Sequence, residues 1–296
     1  MVIKQWKGCL LWIICGALIA ITGCADQHKQ TGNDSTAAIT EPSSEPVTDR
    51  QPNQAAKQSK MELFLSSADK DLHELPGIVI DETIEIVKKP NNVWPLLAAG
   101  AASIVMHNTS ADGEIAENFD LHRVLGKEID EIISNIGGPG VHFGASGLWY
   151  AIAAGNQNEI SKQRAWTMLK ALSVTGTATL GLKLLRDNRT PNDKWLGWPS
   201  GHTSSSFTVA AVLDELYGPE IGFPAYLGAG FVGYRMMDSG DHWASDVVFG
   251  AVLGWIVGHH IGSKHNDLEL AGFKIIPYTS YDERGTTAGV SLIRRF

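Results

Sequence analysis

Cysteine is nearly missing from this chain, with 3 in 296 residues, and Cys9 and Cys15 both fall in the first apolar stretch. That excludes a disulfide-stapled scaffold and any zinc site built on cysteine clusters. Positive charge is also scarce. The 24 Lys and Arg face 32 Asp and Glu, a formal balance of −8, which argues against nucleic acid as the partner. No apolar run reaches the ~18 uninterrupted residues of a spanning helix. Lys170, Lys183, Asp214 and His259 break up the candidates, so a soluble bundle is expected rather than a multi-span protein. There is no His-Glu-x-x-His pattern for a metal hydrolase. Gly144-Ala145-Ser146-Gly147 fails as a serine-hydrolase elbow, because its second glycine comes one residue early and no strand precedes it.

What is present begins at the N-terminus. Lys4 and Lys7 precede an apolar run from Cys9 to Thr22, and small residues lead into Cys24, the layout of a secretory signal over residues 1–23. Ile21-Thr22-Gly23-Cys24 resembles the bacterial lipoprotein box, which implies that Cys24 is acylated and becomes the mature N-terminus. Ala25, where an aspartate would signal inner-membrane retention, favours the outer membrane. The expected location is the bacterial cell envelope, lipid-anchored and facing the periplasm. Residues 24–60 are poor in large apolar side chains and rich in Ser, Thr, Gln, Asn and Pro, the composition of a disordered tether. Residues 61–91 form an extension of mixed character that includes the strand-like Gly77-Ile78-Val79-Ile80.

Residues 92–262 read as helices. The spacing predicts them over Val93–His107, Phe119–Ile136, Gly144–Gly155, Arg164–Leu185, Thr203–Tyr217, Pro224–Met236 and Trp243–Ile261. Gly137-Gly138-Pro139-Gly140 breaks the pattern, and Gly218 and Gly262 stand where C-caps belong. The tandem His259-His260 near a helix end reads as a partner of the helix dipole rather than a catalyst. The fold class expected is all-α, a helical bundle with a short C-terminal β-hairpin over 263–296. Leu268–Tyr278 and Thr287–Phe296 supply its strands around Asp282-Glu283-Arg284-Gly285.

Three segments carry chemistry. The first runs from Lys183 through Arg186 and Arg189 to Thr190-Pro191. The second is Pro199-Ser200-Gly201-His202, and the third runs from Arg235 to His242 and Asp246. Transfer of a phosphoryl group needs cations for the non-bridging oxygens, amide donors at a helix start, a nucleophile and an opposed acid. Lys183, Arg189 and Arg235 are candidate cations, and Ser200 and the Gly201 amide are candidate donors. His242 and Asp246, four apart on one helix face, pair an imidazole with a carboxylate that fixes its tautomer. His202 at a glycine-rich helix entry is the candidate acid. A metal-hydrolase reading would instead make His202, His242 and Asp246 ligands, without a recognisable ligand motif behind it.

The ordered set resembles the phosphatidic acid phosphatase type 2 superfamily, which also holds bacterial class A acid phosphatases and vanadium haloperoxidases. Thr203-Ser204-Ser205, Trp243 and Gly250 match the flanks of its motifs. The resemblance implies the acid phosphatase/haloperoxidase type of helical bundle over residues 92–262. It implies a phosphatase without metal or other cofactor, working through a phosphohistidine, with vanadate able to occupy the phosphate site. His242 would be the nucleophile, Asp246 its orienting partner and His202 the general acid, with Lys183, Arg189, Ser200, Gly201 and Arg235 on the phosphate. The expected substrate is a phosphate monoester or pyrophosphate, of lipids by the anchor's location. A haloperoxidase and a degenerate envelope-binding lipoprotein are the alternatives. Two departures stand out. Thr190 occupies the family's arginine position, with Arg189 one residue earlier, and Arg235 lies seven residues before His242 rather than six, with Tyr234 before it.

Overall fold

A computed structural model describes residues 52–186, 188–265, 268–270, 273–282 and 285–293. The signal segment, Cys24 and the tether up to residue 51 lie outside these residues, as does Phe296. Nine helices run in order among the described residues: α1 Pro52–Lys88, α2 Pro90–Asn108, α3 Ala111–Leu121, α4 Lys127–Ile136, α5 Pro139–Gly155, α6 Glu159–Arg186, α7 Gly201–Tyr217, α8 Pro219–Asp238 and α9 Ala244–His265. Three antiparallel strands follow, β1 Leu268–Leu270, β2 Phe273–Asp282 and β3 Gly285–Ile293, with Asp282 opposite Gly285 at the β2–β3 turn. The expected all-α bundle is therefore present, and the expected hairpin is β2–β3 with β1 added to its edge.

Local chemistry sets most boundaries. Proline stands at the first turn of α2, α5 and α8, where its missing N–H costs nothing. Gly218 ends α7 at φ +82°, a conformation that a side chain would resist. Ser200 caps α7, its hydroxyl accepting from the Thr203 amide at 3.4 Å.

Three sequence expectations need correction. Gly77–Ile80 is helical, inside α1 despite Pro76, because Val79 and Ile86 pack onto the core and that burial outweighs β-leaning composition. Pro52–Lys60, expected in the tether, belongs to the same helix. The single helix expected over Phe119–Ile136 is two, α3 and α4. The Asp238 carboxylate accepts from the amides of Val124 at 3.0 Å and Leu125 at 3.2 Å, holding the intervening turn out of helical register.

The core lies between α6, α7 and α9, where Leu172, Val174, Val212, Phe249, Leu253, Val257 and Ile261 are buried together. α9 meets α7 along a stripe of glycines at every fourth position, Gly250, Gly254, Gly258 and Gly262. A Cβ on Gly250 would come 2.8 Å from the Ser200 carbonyl oxygen, and one on Gly258 would come 2.8 Å from that of Thr208. On Gly254 it would collide with the Ser204 carbonyl, and on Gly262 it would reach 2.9 Å from the Glu215 Cβ. Gly262 is thus a packing glycine within α9 and not the expected cap. Hydroxyls fasten α7 to α6 on its other side, Thr208 to Thr175 at 2.8 Å and Ser204 to Thr179 at 3.0 Å.

Large apolar side chains also face outward, including Trp94, Leu97, Ile104 and Val105 on α2 and Phe223, Leu227 and Phe231 on α8. One described helix segment, Ala244–Lys264, is long and apolar enough to cross a membrane by length and composition, and 72% of it is buried inside the bundle.

The glycine stripe gives a direct test of packing. Gly254→Ala should cost about 2–3 kcal/mol, because overpacking at a backbone contact cannot relax by a rotamer change. Gly228→Ala on α8, where a Cβ meets nothing within 4 Å, should be neutral or slightly stabilising. Urea denaturation of both variants beside the parent reads the difference.

Candidate active site

Four segments come together at one end of the bundle: the C-terminus of α6, the turn into α7, the C-terminus of α8 and the start of α9. The close α7–α9 contact joins the second and fourth of them. The Ser200 amide donates to the Asp246 carbonyl at 3.1 Å, so the turn ahead of α7 is hydrogen-bonded to the first turn of α9. Ser200 is fully buried, and its hydroxyl accepts from the Thr203 hydroxyl at 2.9 Å. At the start of α7, the amides of Gly201 and His202 have no acceptor within the helix and add the positive end of its dipole.

Asp246 is completely buried. Its Oδ2 accepts from the Trp243 amide at 3.1 Å and faces the His242 Nδ1 at 3.4 Å. The carboxylate therefore meets Nδ1, which leaves the His242 Nε2 as the nitrogen turned away from Asp246. The Asp246 Oδ1 is buried without a hydrogen-bond partner. The His242 amide donates to the Met236 carbonyl at 3.0 Å, tying the histidine to the end of α8.

His202 lies close enough to His242, Arg235 and Asp241 to feel each of them. Burial holds its imidazole below the ordinary value, His242 and Arg235 push the same way, and Asp241 and the Ser134 main chain oppose them. A phosphate anion beside it would reverse the balance by favouring the imidazolium. A second imidazole, His142 on α5, stands next to it and donates to or accepts from the Ser205 hydroxyl at 3.0 Å. Burial, aided by His202, brings His142 down to about 4, so it is neutral at pH 7.

The Lys183 ammonium turns inward, donating to the Leu196 carbonyl and to the Gly197 carbonyl at 3.2 Å, just ahead of the Ser200 turn. Among the described residues no carboxylate lies within 4.0 Å of it. Burial lowers its pKa to about 8, against the pull of Asp246. A buried cation without a counter-ion is costly to the fold and marks a position for an anion.

The arginines divide. Arg235 is buried, and its guanidinium is fully engaged: Nε and Nη2 bind the two oxygens of Asp130 at 2.7 and 2.9 Å, and Nη1 binds Asp241 at 2.7 Å. Asp241 also accepts from Lys194 at 2.6 Å and Ser239 at 3.0 Å. Desolvation opposes ionisation of Asp241, but these donors and the Arg235 charge overcome it and hold the carboxyl at about 2. Arg189 is half-exposed, paired with Asp193 at 2.6 Å and stacked 4.0 Å from the Trp195 ring centroid. Arg186 faces inward instead, over the Trp198 ring and 3.3 Å from the Ser103 hydroxyl. The structure thus brings His202, His242, Asp246, Lys183, Ser200, Gly201 and Arg235 together and turns Arg189 outward.

Residues 134–268 match the family model described as the PAP2 superfamily. The matched segment is 135 of the 296 residues, a little under half of the chain. Over 64 residues the chain is 39% identical to the lipid A 1-phosphatase of Porphyromonas gingivalis, a match covering 21% of this chain and 14% of that protein. Among solved structures, the transmembrane PAP2 type phosphatidylglycerolphosphate phosphatase from Bacillus subtilis aligns with a TM-score of 0.51 at 19% identity, over 60% of this chain and 96% of that one. Aquifex aeolicus LpxE aligns with a TM-score of 0.42 at 23% identity, over 50% of this chain and 93% of the other. The Bacillus likeness shows the shared helical fold. α1 to α3, α4 up to residue 133, and the strands beyond Leu268 lie outside the matched segment.

Sequence reasoning missed three members of this site. Asp130 and Asp241, which hold Arg235, and His142, beside His202, belong to no local motif. Only the spacing of Asp130 within an amphipathic stretch hinted at a helix, and nothing hinted at its partner.

Removal of Arg235 would leave Asp130 and Asp241 without their shared cation. Arg235→Ala should destabilise the fold by about 3 kcal/mol or more, as expected for a broken buried pair. Arg189→Ala should cost under about 0.5 kcal/mol, since its pair is exposed. Thermal unfolding at pH 7 compares the two.

Proposed function

We propose that this protein is a phosphatase that hydrolyses phosphate monoesters or pyrophosphates of lipids in the bacterial envelope, through a phosphohistidine and without a metal. The observation that carries the proposal is the buried His242–Asp246 pair set against the α7 entry, with the Lys183 ammonium, which meets no carboxylate among the described residues, alongside. In this reading the Asp246 carboxylate keeps a proton on the His242 Nδ1, and the Nε2 lone pair attacks phosphorus. The bond from phosphorus to the ester oxygen breaks, and His202 supplies the proton that the leaving oxygen takes up. Water then attacks the phosphohistidine, giving its proton to His202 and releasing inorganic phosphate. Lys183, Ser200 and the Gly201 amide hold the non-bridging oxygens, and Arg235, fixed by its two carboxylates, braces the wall beside His202. Arg186, which stays inward, suits the first arginine's role better than Arg189.

The lipid part rests on shape. A mostly apolar cavity of about 210 Å³ is lined by Lys183 and Gly201 together with Pro139, Phe143, Leu172 and Leu180, and by the hydroxyl residues of α6 and α7. One ammonium in a mostly apolar lining suits an amphiphilic ester. The curated relative's name points to a lipid phosphate as well. Attachment through acylated Cys24, with the outer membrane favoured, would keep the enzyme next to such substrates.

Two measurements test the mechanism. His242→Ala should abolish turnover of p-nitrophenyl phosphate and short-chain phosphatidic acid alike. His202→Ala should spare the nitrophenyl ester, whose leaving group needs no proton, at least ~10-fold more than the alkyl ester. Equal losses on both substrates would remove His202 from the acid role. Vanadate should inhibit. A folded protein that turns over neither ester would be the binding lipoprotein, and one that oxidises bromide with vanadate and peroxide would be the haloperoxidase.

Lys183 gives a pH signature. Its ammonium is charged below about 8 and neutral above it, so substrate affinity should fall as pH rises through that value. Lys183→Arg, with a group that stays charged, should carry the alkaline limb of kcat/KM to higher pH. An unmoved limb would mean that Lys183 does not hold the phosphate.

A further inference from the structure

We infer that Glu82, Glu85 and His260 form a binding site for a divalent metal ion of the zinc class, separate from the PAP2 site. Glu82 and Glu85 sit one turn apart on α1, and His260 projects from α9 between them and the core. His260 lies 16 residues beyond Ala244, roughly 24 Å along the helix from the His242 end. The ion would pin α1 to the bundle.

The geometry supports a shared ion better than a hydrogen bond. The side chain of His260 is 3% exposed, and its Nε2 is a buried polar atom with no hydrogen-bond partner. That nitrogen faces the Glu82 Oε2 at 3.4 Å and the Glu85 Oε2 at 3.7 Å. Ligands held 2.0–2.2 Å from a tetrahedral ion are separated by about 3.3–3.6 Å, close to the 3.4 and 3.7 Å found from Nε2 to the two carboxylates. One imidazole nitrogen with two carboxylate oxygens is a donor set for zinc and its neighbours, leaving a fourth position for water. On the other side of the ring, the Asn92 amide lies 3.3 Å and the Lys89 ammonium 3.5 Å from Nδ1, and because an ammonium only donates, metal binding requires Lys89 to swing away. With the amide turned so that its oxygen accepts from Nδ1–H, the Nε2 lone pair points at the carboxylates.

Lys264 is the competitor. Its ammonium lies 2.8 Å from Glu82 and 2.7 Å from Glu85, where it neutralises the same two carboxylates. It is partly exposed on a flexible stem, so an entering dication displaces it into water. Displacement makes the lysine a brake on metal affinity, a relation that a purely structural ion pair would not produce.

Titration of ZnCl2 into the chelator-treated full chain, followed by calorimetry and thermal unfolding at pH 7, tests the site, with MgCl2 as the hard-cation control. The expected result is one zinc per chain, a raised Tm, and no comparable effect of magnesium. Glu85→Gln, at a half-exposed position that the fold tolerates, should weaken zinc binding by about tenfold or more, and His260→Gln should do the same. Lys264→Met should tighten it. No zinc binding by the parent, binding untouched by both Glu85→Gln and His260→Gln, or binding unchanged or weakened in Lys264→Met would each overturn the proposal.

Discussion

The contact on which this structure depends is the glycine stripe of α9 against the backbone of α7. Four glycines spaced by four residues present a flat ridge, and the carbonyls of Ser200, Ser204 and Thr208 sit where side chains would otherwise be. Two helices that touch backbone to backbone have little freedom to slide or splay. The stripe runs to the very start of α7, because Gly250 faces the Ser200 carbonyl. The turn that carries His202 and the turn that carries His242 and Asp246 are therefore fixed relative to each other by packing some distance from either histidine. The geometry proposed for His202 and His242 needs support to within a fraction of an ångström, and side-chain hydrogen bonds alone would not supply it.

The electrostatics follow from that fixed frame. Burying positive charge is expensive, and the bundle handles its cations differently. Arg235 is matched by two carboxylates, so its charge is neutralised in place and its guanidinium held rigid. Lys183 donates to main-chain carbonyls and, among the described residues, has no carboxylate within 4.0 Å. One cation thus belongs to the architecture, and the other is left wanting an anion. The helix start at Gly201 and the buried Asp246 oxygen without a partner extend the same contrast. Polar groups left unsatisfied inside a protein are ordinarily selected against, and the Asp246 oxygen is one of them beside His242.

Much of this was legible in the sequence where the signal was local. His202, His242 and Asp246 could be singled out because a helix entry and a four-residue spacing are short-range patterns, and the His242–Asp246 contact is the one that the spacing predicts. The helices of the bundle were readable from apolar periodicity. What was not legible depends on partners distant in the chain. Asp130 meets Arg235 across 105 residues of sequence, and Asp238 breaks the expected helix across 114. Gly262 looked like a cap because glycine after an apolar run usually is one, yet its role is set by Glu215 on another helix. The strand-like Gly77–Ile80 failed for the same reason: its β-branched residues are helical because of what they pack against.

The displaced arginines illustrate how a fold tolerates a shifted motif. Arg235 stands one residue farther from His242 than the family pattern has it, a difference that would turn a side chain by about 100° on a continuous helix. α8, however, ends at Asp238, and the connection Ser239-Gly240-Asp241 separates it from His242. Gly240 adopts φ +70° there, so the extra residue falls beside a loop rather than inside a continuous helix. Arg235 consequently keeps its inward direction and its influence on His202. At the first motif the extra freedom works the other way. Arg189 lies in the irregular stretch after α6, and an aromatic ring and Asp193 hold it at the surface, while Arg186 in the last turn of α6 remains inside. Position in a motif thus decides less than position relative to the helix end. A cation still anchored in the helix stays with the site, and one beyond the helix end follows its nearest partners.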